Sequence, residues 1–227
     1  GTAIRYFGAG TERVEREVRT LFPRARVLRM DAETTRKKGA HATMLSAFKR
    51  GEFEVLVGTQ MIAKGLDFPG ITLVGVVTAD TSLHLPDFRA GERTFQLLTQ
   101  VAGRAGRGGV PGEVIIQTYM PDHYAIQAAK EHDYLRFYRE EIKEREELLY
   151  PPFTHLINVV VTSKKSEEKA IELAEKLALH LRRGAEATEN RSRYRVLGPA
   201  PCPLRKLGEQ FRWQVQVMTE DVLFMNY

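Results

Sequence analysis

From Thr11 to Thr118, short apolar runs alternate with amphipathic helical stretches, and this alternation constrains the fold class before any motif is weighed. Val14, Val18 and Leu21 recur at i, i+4 and i+7, with Thr11 expected as the N-cap, Glu12 in the first turn and Pro23 as the stop. Arg26–Met30 reads as a strand. A helix is expected from about Gly39, with Met44, Leu45 and Phe48 on one face and Gly51 in the position after the helix end where glycine is favoured. Val55–Val57 reads as a buried strand entering Gly58-Thr59. The continuously apolar Ile71–Thr78 predicts a strand covered on both faces, as in parallel sheets. Glu92–Ala102 predicts a helix and Glu113–Thr118 a strand. Together these imply βαβ units and an α/β fold with a largely parallel sheet.

The character of the chain changes after residue 120. Residues 125–149 are charged and helical, giving a connecting helix over 121–150, and Pro151-Pro152 ends it. Beyond lie a strand over Leu156–Thr162 and a helix capped by Ser166, with Ile171, Ala174, Leu177, Ala178 and Leu181 on its apolar face. Two further strands, Tyr194–Leu197 and Trp213–Met218, flank Pro199, Pro201 and Pro203. The expected domains are therefore 1–120, a linking helix 121–150, and a small α+β unit over 151–227.

Charge is unevenly spread. The net charge is +5, and residues 182–212 hold eight Lys/Arg against three acids, a surplus equal to that of the whole chain. Arg191, Arg193, Arg195, Arg205, Lys206 and Arg212 are candidate contacts to a polyanion, with Phe211 or Trp213 available for base stacking; a solvated loop and a buried Trp213 are the competing readings. Cys202, the single cysteine, precludes an internal disulfide and reads as a packed thiol in a reducing, cytoplasmic setting. The six histidines show no ligand spacing, and no metal site is expected in this chain. No apolar run approaches the ~18 residues a membrane helix needs. Gly1–Gly10 carry no basic start and apolar core of the signal-peptide kind.

Two stretches carry chemistry. In Gln100-Val-Ala-Gly-Arg104-Ala-Gly-Arg107, two arginines three apart at a helix end are separated by small residues that permit close backbone approach; the guanidiniums suit phosphoryl oxygens. In Gly58-Thr59 followed by Gly65 and Asp67, a strand-end hydroxyl and amide suit a phosphate, and Asp67 a ribose hydroxyl. No G-x-x-x-x-G-K-[ST] occurs. Val74–Asp80 resembles a metal-holding strand that ends in an acid, but a structural acid at a strand end is the favoured reading.

Taken together, Gly58–Asp67 resembles motif V and Gln100–Arg107 motif VI of superfamily 2 helicases. Asp87-Phe88-Arg89, Glu92-Arg93, Asp31 with Thr34-Thr35, Gly10-Thr11-Glu12, Tyr150-Pro151-Pro152 and Leu197-Gly198-Pro199 narrow the resemblance to the PriA family of replication-restart DNA helicases (primosomal protein N′). The resemblance implies an ATP-driven 3′-to-5′ helicase that recognises stalled or branched forks and helps reload the replicative helicase. It implies a second RecA-like lobe and then a C-terminal domain. Arg104 and Arg107 take arginine-finger positions, Gln100 senses the γ-phosphate, Gly65 and Asp67 contact nucleotide, and Thr59 contacts a strand phosphate. Implied partners are forked and single-stranded DNA, single-strand-binding protein and other primosome proteins, with a monomeric enzyme and no membrane.

The departures are equally specific. On the family's pattern, the first motor lobe, which holds ATP and Mg2+, is expected to lie outside these 227 residues, as are the N-terminal DNA-binding region and the cysteine-rich zinc segment that the family carries just before the stretch opening near Gly1. By the same resemblance, the family's last helix and strand are expected to lie beyond the tail that follows Met218. A fragment without ATPase activity is expected. The rival readings are a non-catalytic module binding DNA or single-strand-binding protein, and an RNA-directed motor lobe.

Overall fold

The computed structural model describes residues 10–62, 70–103, 111–187 and 194–220. The chain divides into two units, 1–138 and 139–227. In the first, α1 (Thr11–Leu21) precedes β1 (Val27–Met30), and α2 (Ala40–Lys49) carries the chain to β2 (Val55–Gly58). β1 and β2 pair in parallel from Val27↔Val55 to Met30↔Gly58. β3 (Leu73–Val76), the short α3 (Asp80–Leu83), α4 (Ala90–Ala102) and β4 (Glu113–Ile116) follow, and β3 pairs in parallel with β4. Two parallel pairs joined through helices are the α/β arrangement that the alternation predicts.

Each pair has its own core. Leu45 of α2 packs with Leu28 and Met30 of β1, and Met44 and Phe48 help cover them, as the helical stripe predicts. Phe95 and Leu98 of α4 pack with Ala125, Ile126, Ala128 and Ala129 of α5 (Tyr124–Glu131) and with Phe137 of α6 (Tyr134–Glu147). The Phe95 and Phe137 rings stack at 4.3 Å, worth about 0.5–1.5 kcal/mol beyond burial.

Three local expectations are corrected here. Gly10, not Thr11, is the residue before α1; Thr11 is already helical, and its hydroxyl donates to Asp31 Oδ2 at 2.6 Å instead of capping. β3 is not covered on both faces: Val76 meets the α4–α5 core, while Leu73 is 57% exposed and Val77 and Ile115 are half exposed, because no described element lies over that side. The helix expected over 121–150 is two helices. His132 takes a left-handed φ of 54° that ends α5, and Asp133 Oδ1 accepts from Arg136 N at 2.9 Å to start α6.

The second unit holds the remainder of α6, β5 (His155–Ser163), α7 (Glu167–Ala187), β6 (Tyr194–Leu207) and β7 (Gln210–Thr219) in an antiparallel sheet of order β5-β7-β6. Ser166 Oγ accepts from Lys169 N at 3.2 Å, so the expected cap is present. Ala174 and Ala178 of α7 and Val215 of β7 are fully buried together, with Leu177, Leu181, Val161, Val196 and Trp213 around them. β6 departs from the sequence reading: it runs through Pro199, Pro201 and Pro203 as one 14-residue strand. It can do so because β6 is an edge strand with register shifts after Leu197 and Pro201, where missing N–H groups are tolerated.

Candidate functional site

The carboxyl ends of parallel strands are where open α/β sheets place ligands. β1 ends at Met30 and β2 at Gly58, side by side in register. A Cβ on Gly58 would lie 2.5 Å from the Met30 carbonyl oxygen, so only glycine permits this approach and delivers exposed Thr59 at the strand end. The Thr59 carbonyl accepts from Ile62 N at 3.1 Å, closing a 3-10 turn over Gln60–Ile62. Gly65 and Asp67 lie outside the described residues.

Beside Gly58, Asp31 is buried in a closed network. Its Oδ2 accepts from Thr11 Oγ1, and its Oδ1 from the backbone N–H groups of Thr34 (2.9 Å) and Glu33 (3.0 Å). Arg29 Nε stands 3.3 Å from Oδ2. The Thr11 hydroxyl first, then the Thr34 N–H, hold this carboxyl at about 2, below its ordinary value of 3.8. The Asp31–Thr34–Thr35 and Gly10–Thr11 stretches, distant in sequence, thus form one fastening at the β1–β2 end.

At the second pair, Thr78 just past β3 adopts a φ of +69°, unusual for a β-branched residue. Asp80 follows and is 3% exposed. It accepts from Thr118 Oγ1 (2.7 Å) and Tyr119 N (3.1 Å), tying the end of β3 to the end of β4. Burial opposes its ionisation, but the Thr118 and Tyr119 bonds prevail and lower its pKa. Both carboxylates, Asp31 and Asp80, are committed to donors of the chain, and among the described residues no group of three His, Cys, Asp or Glu gathers. A Mg2+ ion therefore does not fit the described strand ends.

The last turn of α4 carries Gln100, the first residue of the Gln100–Arg107 stretch. Gly91, Thr94, Phe95 and Leu98 face the core; Arg93, Gln96 and Gln100 lie outside it, and Gln100 emerges exposed on the last helical turn. Asp87 fixes the start of the helix: it accepts from Arg89 N at 3.0 Å and pairs with Arg93 at 2.9 Å. Gly103 ends it, donating to the Thr99 carbonyl. Arg104 and Arg107 lie outside the described residues.

In the second unit, Arg191 and Arg193 likewise lie outside the described residues. Arg205 ion-pairs with Glu167, whose carboxylate also accepts from Trp213 Nε1 at 3.2 Å. Arg205 first, and then Trp213, lower the Glu167 pKa. Trp213 belongs to the α7-facing core, the packed alternative of the sequence reading. Lys206 Nζ sits 4.8 Å above the Phe211 ring. Cys202 is buried, and burial raises its thiol pKa. Arg195 and Arg212 lie on the sheet face away from α7. Further residues go unnamed in the sequence reading. Asn158, Gln214 and Gln216 alternate onto that same face, and exposed Lys164 and Lys165 continue the chain from the end of β5. The period-2 pattern that puts Trp213, Val215 and Val217 inside is the signal for the outer residues of β7.

Comparisons with known proteins follow the same division. Residues 1–109 match the helicase conserved C-terminal domain, and residues 146–222 match the primosomal protein N C-terminal domain. The chain is 53% identical over 211 residues to the replication restart protein PriA of Bacillus subtilis, covering 93% of this chain and 26% of that protein. It is 46% identical over 216 residues to its namesake in Synechocystis, covering 94% and 25%. With the Chlamydia pneumoniae protein it shares 40% over 223 residues, covering 98% and 29%. The chain thus spans roughly a quarter of the length of these relatives. Among the described residues, no helix is long and apolar enough to cross a membrane. A RecA-like helicase lobe followed by a PriA-type C-terminal domain, each matched in turn, makes this chain a member of the PriA replication-restart family, corresponding to its C-terminal part.

Proposed function

We propose that this chain is the second motor lobe and C-terminal domain of an ATP-dependent 3′-to-5′ DNA helicase that recognises stalled or branched forks and helps reload the replicative helicase. The observation that carries this reading is the helicase conserved C-terminal domain over residues 1–109 joined to the PriA-type domain over 146–222. The structure lends support in the exposure of Gln100 on the last turn of α4, four residues ahead of Arg104, and of Thr59 at the end of β2. In this reading Arg104 and Arg107 meet the charge that develops on the transferring phosphoryl group, Gln100 reports the γ-phosphate, Gly65 and Asp67 contact the nucleotide, and Thr59 contacts a strand phosphate. Arg195 and Arg212, with Arg191, Arg193, Arg205 and Lys206, supply charge to DNA. ATP and Mg2+ are held mainly by the other lobe, and zinc belongs to a segment outside this chain. Single-strand-binding protein and primosome proteins are the protein partners, and the enzyme works as a cytoplasmic monomer.

The test is ATP turnover. Arg107→Ala in the full-length enzyme lowers it by at least about 10³-fold with DNA affinity nearly unchanged, because an arginine finger acts on transition-state charge. Arg107→Lys does not restore it fully, since lysine lacks the planar fork. The 227-residue chain alone, with forked DNA, shows no turnover. Near-normal DNA-stimulated hydrolysis in Arg107→Ala overturns the assignment.

A further inference from the structure

The three strands of the second unit, nine, fourteen and ten residues long, contain no Asp or Glu. The acids of this unit are concentrated on α7 and α6 instead: Glu167, Glu168, Glu172, Glu175 and Glu186 all sit on α7. Val161, Val196, Trp213 and Val215 turn toward α7, so their neighbours in each strand turn away from it. The outward set is Asn158, Thr162, Arg195, Arg212, Gln214 and Gln216. Across β5 and β7 the register sets Asn158 opposite Gln216 and Thr162 opposite Arg212, and Asn158 Nδ2 donates to Gln214 Oε1 at 3.2 Å. Two further residues of this face, Val160 and Leu197, are about two-fifths exposed, so its middle is open to solvent and offers aliphatic surface between the polar groups, whereas Met218, paired with Leu156 and Arg195 at one end of the same face, is buried.

We infer that this sheet face is a platform for single-stranded DNA, in which Arg195 and Arg212 hold phosphates or stack on bases while the Asn158, Gln214 and Gln216 amides meet base edges. The inference rests on the reading of the C-terminal unit as DNA-contacting, and assigns that contact to one face. Charge selects a polyanion: the strands place guanidiniums on this face and no carboxylate that would repel a phosphate chain. The amides select unpaired bases. Amides carry donors and acceptors suited to base edges, which single strands expose in full. A three-stranded face also lacks the helix or narrow ribbon that enters a major groove. Arg205 stands beside this platform and not on it, because its guanidinium pairs with Glu167 of α7; it adds charge to the unit without a contact on this face.

The experiment measures fluorescence anisotropy of the 227-residue chain with a labelled oligothymidine, a duplex of equal length, and an acidic peptide, across a salt series. Trp213 emission verifies folding of each variant. Asn158→Asp with Gln216→Glu weakens oligothymidine binding at least about tenfold, whereas Gln216→Lys tightens it. Arg195→Ala with Arg212→Ala lowers the slope of log K against log salt by about 1.4, at about 0.7 for each phosphate contact on a single strand. Lys176→Glu on α7 changes affinity less than about twofold. An unchanged affinity in the Asn158/Gln216 variant overturns the platform, as does an equal loss in Lys176→Glu, tighter and equally sensitive duplex binding, or sensitivity confined to the acidic peptide. A wild-type chain that binds no DNA refutes the DNA-contacting reading of the unit itself; binding that survives every face variant refutes only this placement.

Discussion

Replacing Asp31 by asparagine removes the charge on which the β1–β2 strand end is fastened. The aspartate is 8% exposed and receives three donors, and its carboxyl is held at about 2 instead of 3.8. At about 1.4 kcal/mol for each pH unit, that gap corresponds to about 2 kcal/mol of stability. The folded-state value is the lower one, so this stability is complete above about pH 4 to 5 and is lost as pH falls from about 4 toward 2. The carboxamide introduced at position 31 also faces Arg29 and Thr11 where an anion stood, which deepens the loss. Native-state hydrogen exchange at about pH 7 localises the effect: amides of Val27–Met30 lose about thirty-fold protection in Asp31→Asn, and those of β5 and β7 change less than about twofold. Urea unfolding then shows the gap between wild type and variant narrowing as pH falls from about 4 toward 2. A gap independent of pH, or exchange that rises equally in both units, refutes the argument that this network anchors the strand end through the charged carboxylate.

Other outcomes follow from single contacts. Ser166→Ala removes the cap on Lys169 N and costs about 1 kcal/mol, read as a lower urea midpoint with an unchanged m-value. Thr99 Oγ1 is buried without a hydrogen-bond partner among the described residues, so the isosteric Thr99→Val is neutral or raises stability by up to about 1 kcal/mol in the same assay. Leu98→Ala, at a side chain 1% exposed beside Phe95, costs about 2–5 kcal/mol. Because Glu167 is held ionised below its ordinary 4.5 and touches the single tryptophan, Trp213 emission shifts as acid protonates it, and Glu167→Gln abolishes that shift.

Much of the fold is legible where one local rule decides. Gly51, with φ +74°, sits after α2 as its position predicts, and Ser166 caps α7. The packing of Met44, Leu45 and Phe48 follows from their spacing. Features set by partners far along the chain are not legible in this way. Thr11 has the chemistry of a cap, yet Asp31, twenty residues on, claims its hydroxyl. Three prolines read as a loop because nothing in the sequence says that β6 lies at an edge. The break at His132 has a local signal, Asp133 ahead of Arg136, which the charged helical run around it obscures. For the candidate site, the motif residues Thr59 and Gln100 lie at element ends as expected. The outer face of the second sheet needs the register, since only pairing brings Asn158 to Gln216 from so far along the chain.

The borders of that sheet are unlike each other. Along β6, three positions have no amide hydrogen to offer, so a newcomer laid against it meets a broken row of donors. Along β5, from His155 to Ser163, every residue keeps its N–H, and among the described residues no strand takes up the far side. Extension of this sheet therefore has a direction. Further β-structure, whether from the same polypeptide or another, adds beyond β5 and leaves the proline border as a terminus, and the face that carries Arg212 and the glutamines widens from one side only.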